Sequence, residues 1–366
     1  MGAYRCTRCG ERYPADTHLW SCRCGGLFEL HERLPFRSEA IEHDIKNLWR
    51  YRAMIPLEAN AIPISLGEGF TPLIPLAWDE FEILCKLEFL APTGSFKDRG
   101  TTVLVSALQN WGIREVVEDS SGNAGASLAA YSAYAGIHCR IYVPAHASGP
   151  KLTQIRAYGA ELVPIEGPRE KAAHVAQEAA KKSYYASHAY HPLVLEGLKT
   201  FAYEVWEQLD RRSPDAVVFP TGHGTFLLGA HRGFQELQVA GLIEALPRLV
   251  AVQSENCAPL YDALQRGSDE LLSYFESGNT IAEGIRITQP ARAQALLHAI
   301  RETGGEVLTV SDAQIDAAQQ VLARRGLFVE PTSAVAVAGL LHWRRRPKGI
   351  ICVPLTGSGL KSPAPS

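Results

Sequence analysis

The sequence predicts an α/β protein that contains a parallel sheet and begins with a small cysteine-rich segment. Short apolar stretches alternate with helical stretches, which is typical of βαβ units, whose crossover helices join parallel strands. The 366 residues are enough for two domains, or for one large α/β domain with an inserted one. Of the eight cysteines, four lie within the first 24 residues and set that segment apart.

The composition excludes several classes of protein. Hydrophobic residues make up 46% of the chain and charged residues 20%, as expected of a globular protein with a sizeable core. The net charge of −3 gives no electrostatic basis for binding nucleic acid or an anionic membrane. The sequence begins without the apolar core of a signal peptide and contains no run of about 18 apolar residues to span a membrane. We therefore expect a cytoplasmic protein.

The N-terminal cysteines form two close pairs, Cys6 with Cys9 and Cys22 with Cys24. A glycine follows the second cysteine of each pair, and glycine lets backbone amides turn toward the sulfurs. In a reducing compartment zinc is favoured over empty thiols, and both are favoured over disulfides. Because all four ligands come from cysteine, no coordination position stays open for catalysis. We predict a structural zinc site in a ribbon-like segment over residues 1–30.

One lysine lies between turn-forming residues and an apolar helical stretch. The segment 91–100 reads Ala-Pro-Thr-Gly-Ser-Phe-Lys-Asp-Arg-Gly and follows a predicted strand, Phe81–Phe89. Ser95 is predicted to cap the helix, which places Lys97 in its first turn. The positive end of a helix and partial burial both lower a lysine pKa and favour an amine nucleophile or a Schiff-base partner. A surface lysine in a charged loop is the alternative.

A second strand, loop and helix follow in the chain. Glu115–Asp119 is predicted as a strand and Ser127–Tyr134 as a helix, with Ser-Ser-Gly-Asn-Ala-Gly-Ala between them. Backbone amides at such a helix start bind a carboxylate or a phosphate. A tight turn that packs a helix closely on a strand explains the same residues equally well. Further strands predicted over 136–144 and 159–164, with helices over 150–158 and 169–182, complete a βαβαβ series and predict a parallel sheet.

A third unit combines strand Ala216–Phe219 with a glycine-rich loop that contains Gly222, His223, Gly224 and Thr225. The predicted function of this loop is to hold a phosphate, with Thr225 as a capping hydroxyl. The loop lacks the lysine of a Walker motif and does not match G-x-G-x-x-G. Strands predicted over 249–253 and 349–355 follow, and Thr356 comes directly after the second of them.

The segment Pro92–Gly100 resembles the cofactor-lysine motif of the pyridoxal-phosphate enzymes of fold type II, in particular the threonine synthase branch. The resemblance extends over nearly the whole chain, through segments 66–73, 120–123, 196–200, 280–282, 330–334 and 355–361. It implies two open, twisted, mostly parallel-sheet domains with helices on both faces. The implied boundaries are a large cofactor domain of residues 31–110 and 200–366 and a smaller inserted domain of residues 111–199. It also implies a homodimer and a small amino-acid substrate, and threonine synthases often begin with a similar cysteine-pair segment.

The resemblance also assigns roles to residues. Lys97 would bind pyridoxal phosphate as a Schiff base and move protons at the substrate carbons. The cofactor contacts implied are a phosphate cradle of Gly222, His223, Gly224 and Thr225, a bond from Asn123 to the ring hydroxyl oxygen, and Thr356 at the pyridine nitrogen. The substrate carboxylate would bind to Ser120, Ser121, Gly122 and Asn123. A neutral hydroxyl at the ring nitrogen weakens the electron sink, which favours elimination and replacement over transamination.

One segment departs from the threonine synthase pattern. Members of that branch resemble one another in an Asn-Pro-x-Arg sequence whose Asn and Arg help hold the substrate phosphate. Here the matching residues are His191-Pro192-Leu193-Val194, and valine cannot bind phosphate. His191 and Lys199 are the possible replacements, although neither offers the fork of an arginine. Glu283-Gly284, which follows Thr280–Ala282, is more similar to the matching residues of the dehydratases than to those of the threonine synthases.

The function predicted is therefore a pyridoxal-phosphate-dependent lyase that performs β- or γ-elimination or replacement on an amino acid. The threonine synthase reaction, from O-phosphohomoserine to threonine, is the first candidate. A serine or threonine dehydratase, which needs no phosphate clamp, is the alternative. A non-catalytic zinc protein that only senses a ligand is a third hypothesis, which an intact Lys97, Asn123 and Thr356 argue against.

Overall fold

A computed structural model describes residues 3–78, 81–147 and 149–362. The chain forms two compact units: unit 1 is Met1–Gly69 with Lys97–Leu198, and unit 2 is Phe70–Phe96 with Lys199–Ser366. Residues 1–2 of the predicted ribbon and residues 363–366 of the predicted large domain lie outside the described residues. Within the described ranges, no helix is both long enough and apolar enough to cross a membrane.

The strands and helices of the described residues alternate through most of the chain. The strands are β1 (Tyr4–Cys6), β2 (Arg12–Tyr13), β3 (Phe28–Leu30), β4 (Leu73–Trp78), β5 (Phe81–Lys86), β6 (Glu115–Glu118), β7 (His138–Pro144), β8 (Glu161–Ile165), β9 (Tyr184–Tyr185), β10 (Ala216–Pro220), β11 (Arg248–Ser254), β12 (Val307–Val310) and β13 (Ile351–Pro354). The α-helices are α1 (Lys97–Asn110), α2 (Asn123–Ala135), α3 (Pro150–Ala157), α4 (Arg169–Ala179), α5 (Pro192–Leu198), α6 (Thr200–Gln208), α7 (Thr225–Val239), α8 (Pro259–Gln265), α9 (Ala293–Glu302), α10 (Asp312–Arg324) and α11 (Pro331–His342). Short 3-10 helices occupy Ser38–Ala40, Leu48–Met54, Glu88–Leu90, Glu283–Ile285 and Gly359–Lys361.

Unit 1 contains a four-stranded sheet in the order β8-β7-β6-β9, with every pairing parallel. Strands β1 to β3 form a separate antiparallel sheet in the order β2-β1-β3. Helix α1 is held in this unit by two close approaches. The Ser127 hydroxyl of α2 donates to Asp98 Oδ1 at 2.6 Å, and a Cβ added to Gly100 would lie 2.6 Å from Val194 Cγ1 of α5. These contacts explain why residues 97–110 join unit 1, whereas the sequence-based boundaries placed residues 31–110 with the large domain.

Unit 2 contains a six-stranded sheet in the order β12-β11-β10-β13-β5-β4. All neighbours are parallel except the edge strand β4, which runs antiparallel to β5. The central strands β10 and β13 are continuous buried apolar runs, as expected of a sheet covered on both faces. The prediction of an α/β fold with mostly parallel sheets and helices on both faces is confirmed.

Several predicted elements differ in detail. The sequence also predicts one helix over 41–53, and the structure has the 3-10 helix Leu48–Met54 there instead. Asn47 is its N-cap, and the Asn47 side chain accepts a hydrogen bond from Trp49 N–H at 2.9 Å. The predicted strand over 81–89 ends earlier, at Lys86, and the 3-10 helix Glu88–Leu90 follows it. The edge strand β4 was not predicted.

Candidate active site

Lys97 is the first residue of α1 and is half-buried. The residue before it, Phe96, is fixed within unit 2: its N–H donates to Thr356 O at 3.0 Å, and its ring stacks on Phe226 with centroids 4.4 Å apart. Ser95 forms an isolated β-bridge with Gly357. The predicted place of Lys97 in the first helical turn is confirmed. The predicted capping role of Ser95 is wrong, since the helix starts two residues later and Ser95 belongs to this bridge.

In unit 1, the loop Ser120–Gly122 (loop 120–122) joins the carboxyl end of β6 to α2. Gly122 is the N-cap of α2, and no side chain caps the helix there, so no capping oxygen occupies the amides at its start. Helix α2 lies close to the strand, because a Cβ added to Gly125 would lie 1.9 Å from Ser120 O. The packing-turn interpretation and the anion-binding interpretation of this sequence are therefore compatible. The loop is a close packing turn, and the helix-start amides that follow it, beginning at Asn123, suit a carboxylate.

Two carboxylates precede this loop, the buried Glu118 and the half-buried Asp119. Glu118 Oε1 lies 2.6 Å from His188 Nδ1, and Glu118 Oε2 accepts a hydrogen bond from Ser120 N–H at 2.6 Å. The Tyr185 hydroxyl donates to Asp119 Oδ1 at 2.5 Å. Sequence reasoning did not single out Glu118, Tyr185 or His188; the one available signal was a pair of acidic residues directly after an apolar strand.

Burial decides the protonation of this group. It raises the pKa of Glu118 to about 7. Burial and the Glu118 charge both raise the pKa of Asp119. The pKa of His188 lies well below its ordinary value, because burial and the positive charge of Lys97 disfavour the imidazolium. Since both shifts disfavour charged forms, the Glu118–His188 contact is better described as a hydrogen bond than as an ion pair.

In unit 2, the loop Thr221–Gly224 (loop 221–224) joins β10 to the 15-residue helix α7. Gly224 is the N-cap with φ +67°, and it provides no side-chain cap. A Cβ on Gly222 would lie 2.9 Å from Ile285 Cα, and one on Gly224 would lie 2.3 Å from Leu296 Cδ2. Only glycine fits at these two positions. Thr225 is the first helical residue and is 3% exposed, so the prediction that it caps the helix is wrong; the cap position is Gly224.

Thr356 follows β13 and is brought next to the end of loop 221–224 by the sheet. Because β10 and β13 are parallel neighbours, their carboxyl ends share one edge of unit 2. The Thr356 N–H donates to Ser333 Oγ at 2.8 Å. Its Oγ1 is buried and, among the described residues, has no hydrogen-bond partner. A buried hydroxyl without a partner is costly, which indicates that it faces a polar group that binds there.

These features fit pyridoxal phosphate. Loop 221–224 presents uncapped helix-start amides, a glycine cradle that no side chain can fill and the Thr225 hydroxyl, which together suit a phosphate. The hydroxyl of Thr356 suits a polar ring atom. In unit 1, Lys97 at the start of α1 carries an amine of the kind that can form a Schiff base.

The two residues considered as replacements for the phosphate-binding arginine are engaged elsewhere. His191 Nδ1 accepts the Leu193 N–H at 3.2 Å, so Nε2 carries the proton and donates to the Tyr184 hydroxyl at 2.9 Å. Lys199 is fully buried and donates to Glu236 Oε1 at 3.1 Å. Val194 is 4% exposed and packs against Gly100.

The four N-terminal cysteines converge as predicted, with all four sulfurs within 4.8 Å of one another. Cys6 Sγ lies 3.5 Å from Cys24 Sγ, and Cys9 Sγ lies 3.6 Å from Cys22 Sγ. Zinc–sulfur bonds of about 2.3 Å in a tetrahedron imply sulfur separations of about 3.8 Å, so the cluster fits one such ion.

The backbone around Cys6 supports a thiolate. Burial raises the pKa of Cys6, but N–H groups from Cys9 and Arg8 that point at its sulfur lower it to about 6 overall. A Cβ on Gly26 would lie 2.4 Å from Cys6 Sγ, so glycine is required beside this sulfur. This is the arrangement of a zinc knuckle that the glycines of the sequence predict.

Comparison with known proteins identifies the family. The model of the pyridoxal-phosphate dependent enzymes matches residues 64–357. The threonine synthase of Methanocaldococcus jannaschii is 35% identical over 98% of this chain and 93% of its own length. The threonine synthase of Mycobacterium tuberculosis is 36% identical over 86% of this chain and 88% of its own length.

Solved structures agree with this match. A threonine deaminase from T.th. superposes with a TM-score of 0.67 and 27% identity, over 79% of this chain and 92% of its own. An L-serine ammonia-lyase from Rhizomucor miehei, at 24% identity and a TM-score of 0.68, covers 79% of this chain and 93% of its own and shares the fold. The chain therefore belongs to the family of pyridoxal-phosphate-dependent enzymes and has their type II α/β fold.

Proposed function

We propose that this protein is a lyase that performs β- or γ-elimination or replacement on an amino acid, as a threonine synthase does. The observation that carries this proposal is the buried Thr356 hydroxyl without a partner, at the sheet edge that also bears loop 221–224. A hydroxyl is neutral, so it cannot stabilise a fully protonated ring nitrogen as a carboxylate would. When bound, pyridoxal phosphate withdraws electrons from the substrate α-carbon. With a weak electron sink, reactions in which charge departs with a leaving group are favoured.

The roles proposed for the residues follow from their chemistry. Lys97 attaches the cofactor and, when the substrate amine has displaced it, accepts and returns protons at the substrate carbons. Gly222, His223, Gly224 and Thr225 hold the phosphate, Asn123 binds the ring hydroxyl oxygen, and Thr356 meets the ring nitrogen. The amides of Ser121, Gly122 and Asn123, with Ser120 beside them, orient the substrate by its carboxylate.

The first candidate substrate is O-phosphohomoserine, because curated relatives matched over most of their length bear the name threonine synthase. A specific observation favours a second candidate, an unphosphorylated hydroxy amino acid such as serine or threonine. A phosphate dianion needs strong donors, yet His191 and Lys199 are engaged with Tyr184 and Glu236, and Val194 offers none. A dehydratase needs no such clamp.

The proposed ion of the cysteine cluster is zinc in a structural role, held by Cys6, Cys9, Cys22 and Cys24. The sulfur-only ligand set and the spacing of the sulfurs support this choice. A homodimer and a cytoplasmic location stay predictions, as does the assignment of residues 31–110 and 200–366 to one cofactor domain.

Two measurements on the purified protein test the proposal. The wild type should show the absorption band of a lysine-bound cofactor near the edge of the visible range, and Lys97→Ala should lose both this band and all turnover. Release of phosphate and threonine from O-phosphohomoserine, measured beside 2-keto-acid formation from L-serine and L-threonine, separates the two candidates. A colourless protein that takes up no pyridoxal phosphate would overturn the proposal.

A further inference from the structure

The short strand β9 lies beside β6 and extends past its end. Tyr184 pairs with Val116 and Tyr185 with Val117, in parallel, and Ala186 N–H then donates to Val117 O at 3.0 Å. The chain that follows β9 is therefore kept next to the point where β6 gives way to loop 120–122. It belongs to unit 1 throughout.

Two side chains of this stretch reach consecutive carboxylates at the end of β6. Tyr185 binds Asp119, and His188 binds Glu118. Glu118 is 1% exposed and uses both carboxylate oxygens, one on His188 Nδ1 and the other on Ser120 N–H. The bond to Ser120 N–H is buried and the bond to His188 is partly buried, so the direction of the first amide of the loop depends on where His188 holds the carboxylate.

The position of Tyr185 is fixed from its other side. Its ring is 2% exposed, and Trp20 packs edge-on against it with centroids 5.7 Å apart. The charged groups that act on this cluster are Lys97 and Arg169, which influence both Glu118 and His188. The bonds from Tyr185 and His188 are thus enclosed by packing and lie in the same unit as Lys97.

We propose that Tyr185 and His188 are positioning residues for substrate binding. They hold Asp119 and Glu118, and through these carboxylates they orient loop 120–122 and the uncapped amides at the start of α2 for the carboxylate of an amino-acid substrate. The proposal rests on the function proposed above, in which this loop binds the substrate. Neither side chain is required to touch the substrate.

Neighbouring tyrosines provide a matched test. Tyr185→Phe removes the hydroxyl bound to Asp119, whereas Tyr184→Phe removes an equally buried hydroxyl bound to His191. In the holoenzyme without substrate, we expect amide hydrogen exchange of residues 119–126 to rise about tenfold in Tyr185→Phe and to stay at the wild-type rate in Tyr184→Phe. We expect the KM of the amino acid that the wild type turns over to rise about fivefold to tenfold in Tyr185→Phe, with kcat changed less than about twofold.

A second pair of variants covers the case in which Tyr185→Phe does not fold. His188→Gln retains an N–H that can donate to Glu118, and His188→Leu does not. KM and exchange should therefore be close to wild type in the first variant and raised in the second.

Equal exchange and equal KM in the two tyrosine variants, or in the two histidine variants, would overturn the positioning role. If the wild type turns over none of O-phosphohomoserine, L-serine and L-threonine, the proposed function is wrong for these substrates. In that case the exchange comparison still decides whether Tyr185 orders the loop.

Discussion

Loop 120–122 and loop 221–224 each follow the carboxyl end of a parallel strand and lead into a helix, but they are held in different ways. A Cβ on Gly122 would meet only Ser120 Oγ, at 3.7 Å, and the loop is fixed by side chains that bind Glu118 and Asp119. In loop 221–224, Gly222 and Gly224 leave no room for a Cβ, because Ile285 and Leu296 lie against them. The first loop is held by side-chain hydrogen bonds at the end of β6 as well as by the close approach of Gly125 to Ser120 O, whereas the second is shaped by the packing of Ile285 and Leu296 against its glycines.

This difference matches the two kinds of ligand proposed. A cofactor that stays bound is suited by a tightly packed cradle, in which Ile285 backbone and the buried Leu296 side chain leave no room for a Cβ on Gly222 or Gly224. A substrate that enters and leaves at every turnover is suited by a loop whose amides are oriented by bonds of moderate strength. Substitutions in loop 221–224 should therefore change cofactor retention, and substitutions around loop 120–122 should change substrate affinity.

The largest effect is expected from Gly224→Ala. The alanine must adopt a φ near +67° and also displace Leu296, which is buried in α9. The left-handed conformation costs about 1 kcal/mol and the overlap about 1–3 kcal/mol. We expect the variant to lose most of its cofactor on gel filtration, measured as the ratio of cofactor absorbance to protein absorbance.

Gly241 is the matched control, because it has φ +71° and nothing within 4 Å of an added Cβ. Gly241→Ala carries the same backbone strain without the overlap and should retain its cofactor. Equal cofactor loss in both variants would show that backbone strain, and not the shape of the cradle, decides binding.

Removal of the proposed zinc should have a smaller effect than Gly224→Ala, and among the two loops it should change hydrogen exchange only in loop 120–122. Without an ion, no metal bonds join the four sulfurs that lie within 4.8 Å of one another, so the ribbon that carries Trp20 should loosen. Trp20 packs on Tyr185, so exchange in residues 119–126 should rise while exchange in residues 221–226 stays unchanged. We expect Tm to fall by about 5 °C after chelation.

The double variant Cys6→Ser/Cys24→Ser is the control for the chelator, since it lacks two of the four ligands. The chelator should not lower its Tm further. A rise in exchange of both loops together would contradict the comparison, because it would mean that the ribbon supports the whole chain rather than unit 1.

The features that could be predicted from sequence are those encoded locally. Lys97, loop 120–122 and loop 221–224 each stand between a strand pattern and a helix pattern, and glycine or proline marks each turn. The approach of Thr356 to the end of β10 followed from parallel strands, whose carboxyl ends share an edge. The convergence of the cysteines followed from their spacing.

The features that were missed depend on pairings between distant parts of the chain. His188 is 70 residues from Glu118, and Tyr185 is 66 residues from Asp119. Their meeting depends on β9 taking the place beside β6, and β9 has only two residues, too few for any periodic pattern. Which strand occupies the edge of a sheet is decided by tertiary packing, so no motif could have indicated these contacts.

The smallest expected effect concerns Glu118, the carboxylate at the end of β6 that binds loop 120–122. Burial raises the pKa of Glu118 from 4.5 to about 7, so between these values the folded protein binds this proton more tightly than the unfolded chain does. The contribution of Glu118 to the free energy of unfolding therefore falls as the pH rises through this range. Glu118→Gln keeps an acceptor for Ser120 N–H but does not titrate. From pH 5 to pH 8, its free energy of unfolding relative to wild type should rise by about 2 kcal/mol, measured by urea denaturation.

His188, Lys97 and Arg169 also act on this carboxylate, but they are present in both proteins, so most of their titration cancels in the difference. Glu115→Gln, on the same strand with a side chain 42% exposed, is the control, because solvent screens that group. A difference between Glu118→Gln and wild type that stays constant with pH would mean that Glu118 does not titrate in this range. A difference that grows with pH would mean that loop 120–122 is held by a titrating group, in contrast to the two glycines that shape loop 221–224.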